Sequence, residues 1–293
     1  MHIIIRKVVL SLLIICPFIF LFNSCELINP DETIPSFIHI DSIDVVTDLQ
    51  SEGTASHKIS DAWVYVDDEL IGAFELPATV PILKDGIHRL TIRAGIKSDG
   101  IASTRPYYPF YEPVIYDNFK LFKDSVVKVN PVTHYSSGAK IAWKEAFEDG
   151  GVSLIKASDD TTSLFKTNDR SLVFEGNYSA YAKILPGDTT FFFRSTDSYK
   201  LPISGYTYLE LNYKNNNKFL VGLIANISGS SVSLPVLILN RSDKWNKIYI
   251  NLTMMVYNYN SATDFYIFIS STREADVDVP VIYLDNIKLV YSK

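Results

Sequence analysis

The chain has 293 residues, of which 47% are hydrophobic, and 33 Asp and Glu outnumber 27 Lys and Arg to give a formal net charge of -6. That balance argues against non-specific attraction to nucleic acid or to an anionic membrane surface. The length is comfortable for two domains, and the richness in aromatic and β-branched residues favours sheets over helices.

The chain opens with MHIIIRK, which carries Arg6 and Lys7, and from Val8 to Phe22 it is apolar apart from Ser11 and Pro17. This run is shorter than the roughly 20 residues that a spanning helix needs. Charge followed by grease is the layout of an export signal. Because Cys25 follows at once, with the small Ser24 before it, residues 1–24 resemble a bacterial lipoprotein signal peptide. The resemblance implies that Cys25 is lipidated, carries palmitate and becomes the new N-terminus. It places the protein in the cell envelope, at the outer membrane and the cell surface, held by lipid and not by charge. Cys16 also follows a leucine-isoleucine stretch, but Ile15 is a poor cleavage residue and a cut there would divide the hydrophobic region. An ordinary cleaved signal with an incidental cysteine and an uncleaved anchor are the other readings of these residues. Cleavage before Cys25 removes Arg6, Lys7 and Cys16, taking the formal charge from -6 to -8 and leaving one thiol. No intrachain disulfide is then possible, and the fold must rest on its core.

Residues 25–34 read as a lipidated tether, acidic and with two prolines, which stands extended instead of folding. After it the pattern is alternation: AWVYV (62–66), HRLTIRA (88–94), YTYLELNY (206–213), KFLVGLIANI (218–227) and DFYIFIS (264–270), separated by turn-rich KDG, KSDG, YKNNNK and SGSS. Many short strands at this spacing mean an all-β chain of sandwiches or open barrels. Residues 35–135 form a first β-sandwich, 136–142 a linker hinged at Ser136, Ser137 and Gly138, and 143–293 a second sandwich.

In the first domain, residues 61–95 place two strands around an acidic turn at Asp67 and Asp68. Pro77 and Pro81 keep the next piece at an edge or in a loop. In the strand after Asp85-Gly86, His88, Leu90, Ile92 and Ala94 share one face, while Arg89, Thr91 and Arg93 share the other. This layout resembles small PEGA-type, transthyretin-like or immunoglobulin-like β-sandwich modules of secreted bacterial proteins, with Asp68 where a glycine is usual. The resemblance implies a spacer without enzymatic activity.

STRPYYPFYEP (103–113) follows, with Tyr107, Tyr108, Phe110 and Tyr111 crowded between three prolines. The prolines exclude a central strand, so the rings belong to a constrained loop or edge. Such a stiff aromatic loop suits stacking on sugar rings or on another protein. Alternatively, the rings cover the sandwich's open end or pack against the second domain.

The second domain contains WKEAFEDGGVSL (143–154), RSLVFEGNYSAYAKI (170–184), DKWNKIYINL (243–252) and PVIYLDNIKLVY (280–291). The early Phe-Glu, the middle Ser-Leu-x-Phe-x-Gly strand, a Trp before a late strand and a terminal Leu-Asp-Asn-Ile strand resemble the β-jelly-roll of carbohydrate-binding modules and galactose-binding-like domains. Asp285 shares parity with Ile287 and Leu289, so if these face the core the carboxylate does too and must be paired, hydrogen-bonded or metal-bound. The resemblance implies that Asp285 with Glu148 helps to hold a structural calcium; otherwise Asp285 caps backbone N–H groups at the sandwich end. Trp245 suits a structural core place better than a sugar platform. Tyr257 and Tyr259, among asparagines in VYNYNSAT, belong to an exposed loop that suits ligand contact.

No HExxH, GxSxG, phosphate-binding glycine loop or metal-spaced Cys/His cluster occurs, and the histidines at 39, 57, 88 and 134 are scattered, so no catalytic residue is assigned and no enzyme is expected. Two functions remain. In one, the chain is a surface lipoprotein that binds polysaccharide through its second domain, as in the capture systems of Bacteroidota-type bacteria that this tethered pair of sandwiches resembles. In the other, it is a structural envelope lipoprotein whose sandwiches contact protein partners. The first requires exposed, roughly coplanar aromatics flanked by amide or acidic groups on one face. The second requires an apolar patch without such a groove.

Overall fold

The structure, a computed structural model, describes residues 33–156 and 162–293. Cys25, the expected signal peptide and nearly all of the tether lie outside the described residues. Among the described residues, no helix is long and apolar enough to cross a membrane.

The chain is all-β. Among the described residues the first nine strands are β1 (Ser36–Ile40), β2 (Asp44–Val45), β3 (Asp61–Val66), β4 (Glu69–Glu75), β5 (Ala78–Ile82), β6 (Gly86–Gly95), β7 (Val114–Leu121), β8 (Val126–Val129) and β9 (Val132–Thr133). They pair into a three-stranded sheet of order β5-β1-β8, a four-stranded sheet of order β4-β3-β6-β7 and the short pair β2-β9. Ile38, Ile40, Val80 and Ile82 from the smaller sheet meet Val64, Val66, Leu90 and Ile92 from the larger in one buried core. Alternation produced this: in β6 every second side chain from Leu90 to Ala94 is buried, although Thr91 on the opposite face is covered as well. Pro81 lies in β5, an edge strand, where its missing N–H costs no ladder bond. Asp67 and Asp68 make a two-residue hairpin turn with φ of 52° and 64°.

The second body comprises β10 (Ala139–Glu145), β11 (Leu154–Lys156), β12 (Leu164–Thr167), β13 (Ser179–Lys183), β14 (Thr190–Ser195), β15 (Thr207–Asn215), β16 (Phe219–Ile227), β17 (Ser230–Leu239), β18 (Ser242–Asn251), β19 (Asp264–Thr272) and β20 (Val281–Ser292), with a short helix α1 (Thr253–Asn258). One sheet runs β12-β13-β20-β15-β18, with β10 also paired to β20; the other runs β11-β14-β19-β16-β17. Leu209, Leu211, Ile248, Ile250, Ile287 and Leu289 of the first sheet meet Phe191, Phe193, Val221, Leu223, Ile267 and Ile269 of the second. The result is a jelly-roll sandwich closed by side chains of alternate parity.

Two local expectations change. The linker expected at 136–142 is largely strand, because β10 starts at Ala139 and pairs with the end of β20. The middle strand expected at Ser171–Gly176 is a series of turns, and strand begins only at Ser179. Gly176, at φ 68°, brings the chain so near Glu148 that a Cβ there would lie 2.4 Å from its Oε1.

The two bodies are packed together over the outer face of the six-stranded sheet. Tyr208, Tyr249 and Val290 of that face belong to the same buried cluster as Tyr108, Phe110, Tyr111 and Tyr135 of the first body.

Candidate functional site

The proline-fenced rings are the mortar of this junction. Tyr108, Phe110 and Tyr111 are 1%, 1% and 5% exposed, so a ligand in solvent cannot reach them. The Tyr108 ring meets Tyr208 edge-on at 5.4 Å and Tyr249 at 4.8 Å. Its hydroxyl donates to Oε1 of Glu210 at 2.7 Å, as does that of Tyr135 at 2.8 Å. The solvent-facing platform is therefore corrected for these three, since packing against the second body takes precedence over exposure. Tyr107 alone stays partly open, edge-on to Trp63 with the Arg93 guanidinium above it.

Tyr257 and Tyr259 are not in a loop: Tyr257 lies in α1 and Tyr259 at its C-terminal end. Tyr257 is exposed, whereas Tyr259 leans on the core, so the two do not form one platform.

Asp285 is buried, but not in the core. Ile282 and Leu284 face inward before it and Ile287 and Leu289 after it, so parity switches across Asn286, which bulges from the ladder at φ 47°. Asp285 thus shares the outer face with Tyr283. Its Oδ2 accepts the Ser179 hydroxyl at 2.6 Å and its Oδ1 the Asn286 N–H at 2.8 Å. Burial pushes its pKa up to about 7, against the pull of these bonds. Glu148 accepts the N–H groups of Asn177 and Tyr178 on Oε1 and the Asn177 amide on Oε2. Both carboxylates are occupied by the chain's own donors, and among the described residues no group of three His, Cys, Asp or Glu side chains is placed to hold a metal. The pair does not fit a calcium site, which calls for six to eight oxygens.

The face with the chemistry of a binding site belongs to the five-stranded sheet. Alternation buries Phe191, Phe193 and Ser195 of β14 and turns Phe192 and Arg194 outward; in β19 it turns out Asp264 and Tyr266, while Phe268 on the same face is buried beneath Phe192. Phe192 stacks on Phe268 at 4.9 Å with the rings 17° from parallel, and the Arg194 guanidinium lies 4.1 Å from the centre of Tyr266. Gly222 of the neighbouring β16 makes room for this layer, because a Cβ there would lie 2.4 Å from the Phe268 ring. Beside the rings, Asn226 donates to Asp264 at 2.5 Å and accepts from Ser231 at 2.7 Å. Burial raises the Asp264 pKa, but hydrogen bonds from Asn226, Thr263 and Ser198 outweigh it and hold the carboxyl below its ordinary value. Phe192, Arg194, Ile224, Asn226, Ser233 and Tyr266 line a hollow of about 420 Å³.

This arrangement offers flat apolar rings, a fixed cation and a rim of amide, carboxylate and hydroxyl groups. None of these residues stood out in the sequence. The available signal was the outward parity of Arg194 in FFFR and of Tyr266 in FYIF.

No protein-family model matches the sequence, and no curated protein matches it. Similar solved structures include carbohydrate-binding modules of the β-sandwich superfamily (14% identity, TM-score 0.40, covering 79% of this chain and 85% of that one). A family 11 carbohydrate-binding module from Clostridium thermocellum, in complex with a mixed-linked tetrasaccharide, aligns at 12% identity and a TM-score of 0.38 over 53% of this chain and 96% of that one. The K1 adhesin domain of Lys-gingipain from Porphyromonas gingivalis aligns at 15% and 0.34, over 50% and 96%.

Proposed function

We propose that the protein is a non-catalytic envelope lipoprotein, held by acyl chains on Cys25, that binds polysaccharide on the outer face of its five-stranded sheet while the first body serves as a spacer. The observation that carries the reading is the half-buried Phe192 ring, seated on the buried Phe268, and the Tyr266–Arg194 pair, set beside Asn226, Asp264 and Ser231. Pyranose rings present flat C–H faces to aromatic side chains and hydroxyls to such a polar rim. The carbohydrate-binding modules among the similar folds agree with this reading without carrying it.

A protein-contact surface is the second reading, favoured by Ile238, 62% exposed at the edge of the same sheet. Retardation of the full chain in gels containing soluble glycans, compared with Tyr266→Ala and Arg194→Ala, separates the two. Mass spectrometry of the membrane-extracted protein tests the anchor: an acylated residue 25 as the N-terminus is expected, and an intact start methionine contradicts it.

A further inference from the structure

We infer that the opposite face of the second body carries another glycan contact, one suited to an acidic polysaccharide; the inference rests on the glycan reading above but on different residues. Phe165 of β12, Tyr181 of β13 and Tyr283 of β20 are direct cross-strand partners. Their ring centres are 5.6 and 6.0 Å apart, and successive planes are tilted by 32° and 38°. Trp245 of β18 continues the line 6.4 Å from Tyr283, with Phe174 beside it at 5.4 Å. An aromatic row therefore crosses the six-stranded sheet from its β12 edge to its β18 edge.

Trp245 is absent from the core, contrary to the place expected for it; it lies among the outer rings, and its indole N–H is shielded from water with no acceptor. A buried donor without a partner is costly unless something supplies the acceptor. The row is also more open than a structural cluster requires, with Phe165 50% and Phe174 37% exposed. It occupies the part of this face beside the region around Tyr208, Glu210 and Tyr249 that the first body covers.

Charge selects the ligand class. Lys214 pairs across the ladder with Tyr283, its ammonium 5.8 Å from that ring's centre. Lys183 lies two residues beyond Tyr181 on the same side of β13 and is exposed. Neither forms an ion pair among the described residues, so both ammonium groups are free to meet a ligand beside the row. Unpaired ammonium groups next to stacking rings complement sugar carboxylates, with the pyranose faces on the aromatics and the uronate charge on the lysines. The two sheets of a sandwich lie about 10 Å apart, facing opposite ways, so one stretch of glycan cannot occupy both faces. One molecule would hold two chains.

The test uses the full chain in a non-glycosidic detergent, run through gels containing polygalacturonate or alginate, their carboxyl-reduced counterparts, and neutral β-glucan and mannan. Tyr181→Ala with Tyr283→Ala, and separately Lys183→Gln with Lys214→Gln, are expected to weaken retardation by the polyuronates at least about fivefold and to leave any neutral-glycan binding in place. Phe165→Ala, at a half-exposed position, supplies a ring deletion that does not depend on the double variant folding. The inference is overturned if the parent is unretarded by every polyuronate, if carboxyl reduction changes nothing, or if Phe165→Ala and the lysine pair behave as the parent. Failure of the first site reads differently: Tyr266→Ala with Arg194→Ala would then bind every glycan as the parent does.

Discussion

Glu210 and Lys247 face each other at 2.9 Å with side chains 0% and 2% exposed, an ion pair sealed between the two bodies. The other carboxylate oxygen, Oε1, accepts the hydroxyls of Tyr108 and Tyr135. The Lys288 ammonium lies close by, donating to the Thr54 carbonyl at 2.6 Å. Burial pushes the Glu210 carboxyl up, and the two lysines more than offset this and hold it ionised. Glu210→Ala leaves Lys247 buried and unpaired, at a cost of about 3–5 kcal/mol. Urea unfolding of the parent should show one transition, with the variant's midpoint well below it. Two separate transitions in the parent would mean that the junction does not couple the bodies.

Asp285 and Lys288 give stability a pH dependence with a definite sign. Asp285 is raised by burial from 3.8 to about 7, so between these values the folded chain holds a proton that the unfolded chain has lost, and stability falls as pH rises. Lys288 is lowered by burial to about 8, so between about 8 and 10.5 the unfolded chain holds the extra proton and stability rises with pH. Asp285→Asn should flatten the first slope, on the order of 3 kcal/mol between pH 4 and 7. Melting temperatures of parent and variant across this range check it; parallel curves would rule out Asp285 as the source.

Asp68 is strained. It sits at φ 64° in the β3–β4 hairpin, where only glycine is free of a side-chain penalty. Its pairing with Arg89 is solvent-exposed and weak. Asp68→Gly should therefore stabilise the chain by roughly 0.5–1 kcal/mol, less any small loss from that pair. A lower urea midpoint in the variant would show that the pair outweighs the backbone.

Calcium should not matter to the second body. Because Glu148 and Asp285 spend their oxygens on Asn177, Tyr178, Ser179 and Asn286, the melting temperature is expected to be the same in calcium and in chelator. A calcium-dependent rise would show that these bonds open to admit the ion.

The strands were legible because one-sided burial writes itself as alternation, and the stretches named in residues 62–66, 88–94, 206–213, 218–227 and 264–270 lie in β3, β6, β15, β16 and β19 to within one residue at the start. The junction was not. On an alternating strand Glu210, Lys247 and Lys288 read as the wet face, and only the arrival of a second body buries them. Asp285 was misplaced for a smaller reason, since one bulged residue reverses every parity after it. The proposed binding face escaped because Phe192 resembles a core residue until the ladder shows which way its side chain turns.

Binding of soluble glycans to the full chain tests the function most directly, measured by affinity electrophoresis on parent, Tyr266→Ala and Arg194→Ala proteins of equal melting temperature. Retention of the parent by at least one glycan, with about tenfold weaker retention of each variant, is the expected result. A parent that no glycan retards, or variants retarded as strongly as the parent, would contradict polysaccharide recognition on this face.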